Sequence, residues 1–489
     1  MKLTVCTFRA RHKAPCRLAL ILVVCILIPA NFASASTRPG YGGTLRVQMS
    51  QRMLSNDPRQ WPADSARASA VERVDALLFD RLTRLDDHAT PQPALAVAWQ
   101  HDVLSKRWQF RLREGVKFSD GAPLTPELAA IALQQLLGNE FDVSANSDSV
   151  VILADHSLPD FPVMLAQGRY FIFRTEDDGS LSGTGPFRVA EWPSSASPAK
   201  IILTANETCW AGRPFVDRIE LTMGVDPQQQ ANAIAFGQAD VVELPASQVR
   251  RMAQRGVRTV SCDPVELLAL EIDTARPGVQ DVRVRQAISL SIDRGPIADV
   301  ILQKQGNVAG SLLPNWISGY AHLFPISTNV QRAKELLIAS GREVSHPTPL
   351  QLIYDSSDEE ARGVAERVAV NLKEAGIAVQ VSGQTDVGKS AAADMRLVRR
   401  RISTPDPGTA LAELLNSFGE AGSEMETPEQ TYAAERAPID AFRIIPLVHL
   451  TESYGLSPQV RDWMPPRWGG WRLEGVWLGP LSTPGGSPQ

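Results

Sequence analysis

Between residues 107 and 137 the spacing of apolar positions changes period once. Trp108, Phe110 and Leu112 alternate with Gln109, Arg111 and Arg113, the two-residue period of a strand with one face buried. Ser119-Asp120-Gly121 marks a turn. Thr125 then stands where an N-cap belongs, with Pro126 at the first helical position and Glu127 in the first turn. Leu128, Ala132 and Leu136 recur every four residues and predict a helix with one apolar face.

The same reading extends along the chain. Leu45 to Met49 alternates after Gly42-Gly43 and predicts a strand, and Asn56-Asp57-Pro58 a turn; residues 66–79 read as a helix. Residues 139–182 carry a weaker pattern of short strands and loops, among them Val150 to Leu153. Phe187 and Val189 open a strand after a Gly/Pro turn, with 200–204 as its hairpin partner and 215–221 leading into another strand. Residues 228–236 predict a helix ended by Gly237, and 239–242 a short strand. Leu267 to Ile272 is a strongly apolar strand. Asp281 caps a helix with the stripe Val284, Ile288, Ile292, which Gly295-Pro296 is expected to stop. Residues 350–354, 358–375 and 377–381 form a strand–helix–strand unit that implies parallel pairing and an α/β lobe. Ile444 to His449 is a last apolar strand.

The N-terminus reads differently. Lys2, Arg9, Arg11, Lys13 and Arg17 precede an apolar run, Leu18 to Ile28, that is short for a bilayer, and Ala33-Ser34-Ala35 is a small-residue cleavage site. Residues 1–35 are therefore expected to be a secretory signal peptide, with a retained anchor as the alternative. Removing them takes five positive charges from a chain whose formal charge is −5 and leaves −10; so acidic a chain is not expected to bind nucleic acid. Of five cysteines only Cys209 and Cys262 then remain. Pairing in an oxidising compartment and two buried free thiols both stay open.

Reaction chemistry is not evident. There is no G-x-S-x-G elbow, P-loop, G-x-G-x-x-G or H-E-x-x-H pattern. His88, His101, His156, His322, His346 and His449 are scattered, with no ligand-like pair, so no metal or cofactor is expected. His449 is expected to be a hydrogen-bonded histidine rather than a metal ligand.

Four groups of residues, in one order, resemble the bacterial extracellular solute-binding proteins of family 5. The first is Leu85, Asp86, Pro93, Ala94, Leu95, Ala96 and Trp99, followed by the run Trp108 to Thr125. The second runs from Gly183-Thr184-Gly185-Pro186-Phe187 to Asn206, Trp210, Gly212, Pro214, Asp217 and Ile219, with Cys209 where the family usually has Tyr. The third is Asp281 to Ile288 with Ile292-Asp293-Arg294 and the loop Ala309 to Trp316; the fourth is Ile444 to His449. The resemblance covers about 42–456 and implies an α/β, type II periplasmic binding protein fold. Its two lobes would be joined by a hinge of crossover strands, near 267–272 and 444–449, with an extra subdomain in lobe I. The implied boundaries are 36–265 for lobe I, 266–442 for lobe II and 443–489 for the return to lobe I and a tail. It also implies a monomeric, periplasmic protein, not an enzyme, that takes a peptide or other small solute into the interlobe cleft and delivers it to an inner-membrane ABC permease. A sensor or chaperone of the same fold and a secreted hydrolase are the competing classes.

Ligand choice is where the chain departs from the family. Peptide-binding members often carry an aspartate before a Tyr in lobe II; in the run Asp394 to Pro407 an ungapped alignment puts Ser403 there and Arg400 at a tryptophan position, with Asp406 and Pro407 matching. Arg399, Arg400 and Arg401 are expected to set a positive field that suits a carboxylate or phosphate, unless they are simply solvated. Trp316, Tyr454, Trp468 and Trp471 read as loop aromatics after strands, as suited to ligand contact as to packing. The candidate site is therefore Trp316, Arg400, Ser403, Asp406, Tyr454, Trp468 and Trp471.

Overall fold

The computed structural model describes residues 38–480 except 54, 63–64, 103–105, 156–159, 193–198, 342–348, 386, 388–392, 423–424 and 426. The expected signal segment, His156, His346 and the end of the tail lie outside the described residues.

In chain order the elements that frame the site are β1 (Thr44–Met49), α1 (Ser65–Leu78), β2 (Phe187–Glu191), β3 (Ala199–Ala205), β4 (Arg218–Met223), β5 (Val241–Leu244), α2 (Ala246–Gln254) and β6 (Arg258–Ile272). They continue with β7 (Gly306–Val308), β8 (Leu350–Asp355), α3 (Glu359–Glu374), β9 (Val379–Gln384), β10 (Met395–Arg401), α4 (Pro407–Ser417), α5 (Pro428–Asp440) and β11 (Ile444–Leu456). All eleven strands share one mixed sheet in the order β2-β3-β4-β1-β5-β11-β6-β10-β8-β9, with β7 beside β11. β1 runs parallel to β4 and β5, and β8 parallel to β9 and β10. The parallel β8–β9 pair is bridged by α3, whose Val364, Val368 and Leu372 are fully buried.

Two strands are much longer than their neighbours. β6 and β11 pair antiparallel from Arg258–Leu456 to Glu271–Ile444. One end of β11 meets β5, while the far end of β6 meets β10. The chain thus crosses twice between two halves of one sheet, and each half has its own core. One core joins Leu45, Val47, Met49 and α1 to Trp463, Trp471 and Leu473; the other joins Val284, Ile288, Val364, Ile445 and Leu447. A third core belongs to a four-stranded antiparallel sheet, in which Arg107–Leu112 buries Trp108, Phe110 and Leu112. Helix Pro126–Leu137 covers that sheet, and Thr125 Oγ1 caps it by accepting from the Leu128 N–H at 3.3 Å.

Three features differ from the sequence expectation. The helix Val282–Ser291 ends at an extended Ile292, before Gly295-Pro296, which lies instead in a new short helical start, Arg294–Pro296, capped by Asp293 and leading into a π-helical turn, Ile297–Ile301. Pro296 is tolerated because the first N–H groups of a helix have no partner inside it. α2 lies where the sequence carries no helix-start signal: Ala246, Val249 and Met252 recur every three residues and are buried, but Pro245 stands at the N-cap with no capping side chain. β6 and β11 extend beyond their apolar segments, since their other halves mix polar and apolar residues.

Candidate functional site

Where β6 and β11 pass from one half of the sheet to the other, their register breaks between Ser261 and Glu266. Pro264 lies in that stretch and cannot donate a ladder hydrogen bond, and an irregularity of this kind turns side chains off the regular alternation. Five polar side chains converge there. α1 brings Arg73, β5 brings Glu243, the last residue of β10 is Arg401, and β11 brings Glu452 and Tyr454. Arg73, with 9% of its side chain exposed, pairs with Glu452 at 2.5 Å and with Glu243. Arg401 pairs with the same Glu452 Oε1. The Tyr454 hydroxyl donates to Glu452 Oε2 at 3.0 Å, and the Ser50 N–H donates to Glu243 at 2.7 Å. Burial pushes the Tyr454 phenol up to about 12, so it remains a donor at neutral pH. The Arg73 guanidinium also lies 5.9 Å from the ring centroids of both Tyr454 and Trp471, within cation–π range.

The three consecutive arginines are all engaged within the chain, which corrects the expectation of a free positive field. Arg399 pairs with Asp358 and Glu360 at 3.0 Å and with Glu266 at 3.4 Å. Glu360 also accepts the Ser247 N–H of α2 at 2.6 Å, which ties the start of α3 to the other half of the sheet. Arg401 is held by Glu452. Arg400, the residue singled out by alignment, lies over the Phe418 ring at 5.6 Å. Successive strand residues face opposite sides of a sheet, so Arg400 is turned from the junction that Arg401 reaches.

Ser403 donates to Glu413 of α4, and Glu413 makes no ion pair among the described residues. The Glu413 carboxyl is pushed up by desolvation first; the Ser403 hydrogen bond opposes this and the like charge of Glu72, on α1, adds to it. Asp406 caps α4, accepting the Thr409 N–H at 2.8 Å. That use of its carboxylate explains the Asp-Pro pair as a helix start.

The aromatic candidates separate into two groups. Tyr454 lies inside β11, not in a loop, and is 1% exposed; Trp471 is 4% exposed. Both belong to the core around α1, where they back the Arg73–Glu452 cluster. Trp316 and Trp468 are half-buried at the junction. The Trp316 indole N–H donates to the Pro264 carbonyl at 2.8 Å, under the Arg467 guanidinium, and the Trp468 carbonyl accepts from Arg401 at 3.4 Å. Next to Trp468, Gly469 has a φ of +80°, and a Cβ there would lie 2.6 Å from Glu452 Oε2 and 2.8 Å from Arg401 Nη2. Gly469→Ala is expected to cost more than about 1 kcal/mol from the backbone alone and to loosen the ion pair; the midpoint of urea unfolding checks this.

The sequence did not single out Arg73, Glu243 and Glu452. Arg73 lies in the helix read over 66–79, but Glu243 and Glu452 fall past the strands read at 239–242 and 444–449, and residues about 380 positions apart carry no spacing signal. Cys209 and Cys262 are free and buried, and burial pushes their thiols up to about 11 and about 12. His449 is buried, with Nε2 3.0 Å from the Leu312 carbonyl; burial holds it down at about 4, so it is neutral. Among the described residues no group of three or more His, Cys, Asp or Glu side chains has a metal-holding arrangement, and no helix is long and apolar enough to cross a membrane.

The sequence pattern of the family described as "Bacterial extracellular solute-binding proteins, family 5 Middle" matches residues 90–422. The nickel-binding periplasmic protein of Escherichia coli is 23% identical over 352 residues, covering 64% of this chain and 66% of that protein. The nickel-binding protein NikA of Staphylococcus aureus is 22% identical, covering 63% of this chain and 65% of its own length. The match thus spans just under two thirds of each of these relatives. Among solved structures, the ABC transporter substrate-binding protein CtaP of Listeria monocytogenes superposes with a TM-score of 0.77 at 16% identity, over 90% of this chain and 99% of that one. That likeness establishes the type II periplasmic binding protein fold.

Proposed function

The chain belongs to the bacterial extracellular solute-binding proteins of family 5, and from that membership we propose that it captures a small solute between the two halves of its sheet and delivers it to an ABC importer of the inner membrane. The observation that carries this reading is the pair of long strands, β6 and β11, whose register breaks at Ser261–Glu266 beside a buried polar cluster. Two halves with separate cores, joined by two strands at an irregular point, are suited to hinge closure. A solute favours closure only by touching both halves. In this reading residues 1–35 direct export to the periplasm, 36–265 form lobe I, 266–442 lobe II and 443–489 the return. Trp316, Trp468 and Ser403 with Glu413 line the cleft; Arg400, Asp406, Tyr454 and Trp471 support it. The protein acts as a monomer and carries out no catalysis.

The test is a thermal-shift panel on the mature chain, stripped of retained solute by unfolding and refolding. Short peptides and a nickel–histidine complex are the first probes. A bound solute at a hundred times its Kd should stabilise the fold by about 2.7 kcal/mol, with the probe recovered chemically unchanged. Conversion of the probe into product would overturn the reading.

A further inference from the structure

We infer that Glu452 is a specificity-determining residue of the interlobe site: its carboxylate already neutralises the two arginines there, Arg73 and Arg401, so the site takes a solute that brings no acidic group to that point. The inference rests on the solute-binding reading and names the charge class of the solute.

The geometry is that of an occupied anion site. One oxygen of Glu452 serves a guanidinium from α1 and another from the end of β10. Its second oxygen takes the Tyr454 hydroxyl. The second acid of the cluster, Glu243, is spent on Arg73 and the Ser50 N–H. Two buried guanidiniums therefore face two carboxylates, and the cluster holds no excess positive charge. A carboxylate arriving there would meet Glu452 and Glu243 as like charges and would have to displace one of them. Gly469 adds to this exclusion, because its missing side chain lets the 468–470 turn close directly over the Glu452–Arg401 pair. A neutral or cationic group is what this buried cluster accepts without an uncompensated charge.

The same geometry explains why the three-arginine run, read from sequence, suggests the opposite class. Each guanidinium has a resident partner, and the one that matters at the junction is answered by a residue 51 positions later in the chain.

The test is calorimetric titration of glutarate and of its neutral diamide, glutaramide, into wild type and Glu452→Gln. Removing the resident charge frees Arg401 for an incoming carboxylate, about one charge-assisted hydrogen bond, or tenfold to a hundredfold in affinity. The wild type should show no preference for glutarate, and the variant should bind glutarate at least about tenfold more tightly than the wild type does. Glu452→Asp, which keeps the charge but shortens its reach, should shift in the same direction by less, and it serves if the glutamine variant does not fold. Glutarate bound equally well by wild type and variants, or by none of them, would overturn the inference. The solute-binding reading stands or falls separately, on whether a released solute changes the distance between the two halves.

Discussion

Arg73→Met is expected to destabilise the protein by about 3–5 kcal/mol, the usual cost of removing one partner from a buried ion pair. The side chain has 9% of its surface exposed and is the counter-charge of Glu243 and, with Arg401, of Glu452. Methionine fills much of the space but leaves Glu243 with the Ser50 N–H and no cation among the described residues. Adding Glu243→Gln should recover part of the loss, because it removes the charge that Arg73→Met strands. The denaturation midpoints of the two single variants and the double variant, taken as a cycle, give the coupling; a value of about 0.5–3 kcal/mol is expected for residues in direct contact. Independent, additive effects would mean that the cluster does not act as a unit.

Glu435→Gln should act in the other direction, and only in part of the pH range. Glu435, on α5, is fully buried; its Oε1 accepts the Leu312 and Leu313 N–H groups at 2.5 and 2.8 Å. Burial is the main reason its carboxyl rises from the ordinary 4.5 to about 7. Below pH 4.5 folded and unfolded chains both hold the proton, so nothing is lost. From pH 4.5 to about 7 the unfolded chain releases the proton and the folded one keeps it, so stability falls as pH rises and the full penalty is present above pH 7. The size of the shift corresponds to about 3 kcal/mol. Glutamine retains the acceptor and has no proton to lose. The variant should therefore be more stable than wild type by about 3 kcal/mol at pH 8.5 and nearly equal to it at pH 4.5. His449, whose ring meets the carbonyl of the same Leu312, has the opposite sign. Its folded value of about 4 lies below the ordinary 6.5, so its contribution is intact above pH 6.5 and is lost as pH falls toward 4.

How much of this was legible in the sequence depends on the range of the interaction. The strand at Trp108, the cap at Thr125 and the unit from Leu350 to Gln384 are set by neighbours a few residues apart, and their periods announced them. The long strands β6 and β11 were seen only in their apolar halves. Their other halves, where β11 lies between β5 and β6, are stabilised by pairing partners about two hundred residues away, and their own residues are too polar to signal it. The site follows the same rule. Alignment led to Arg400, but strand alternation turns Arg400 onto Phe418 and leaves Arg401 at the junction. Arg73, Glu243 and Glu452 meet only because the sheet brings three distant elements together, and no local pattern encodes that meeting. Tyr454 and Trp471 were visible as aromatics, yet only packing reveals that they support the charged cluster from behind.

If the two halves of the sheet close on a solute at the β6–β11 junction, the distance between them depends on whether the solute is bound. That distance is read by an electron–electron measurement between spin labels on Ile131→Cys and Ile338→Cys, positions that are 56% and 69% exposed, with Cys209 and Cys262 replaced by serine. The distribution should be short and narrow with the solute bound, and longer and broader once that solute is removed. The same distribution in both samples would contradict closure on a solute.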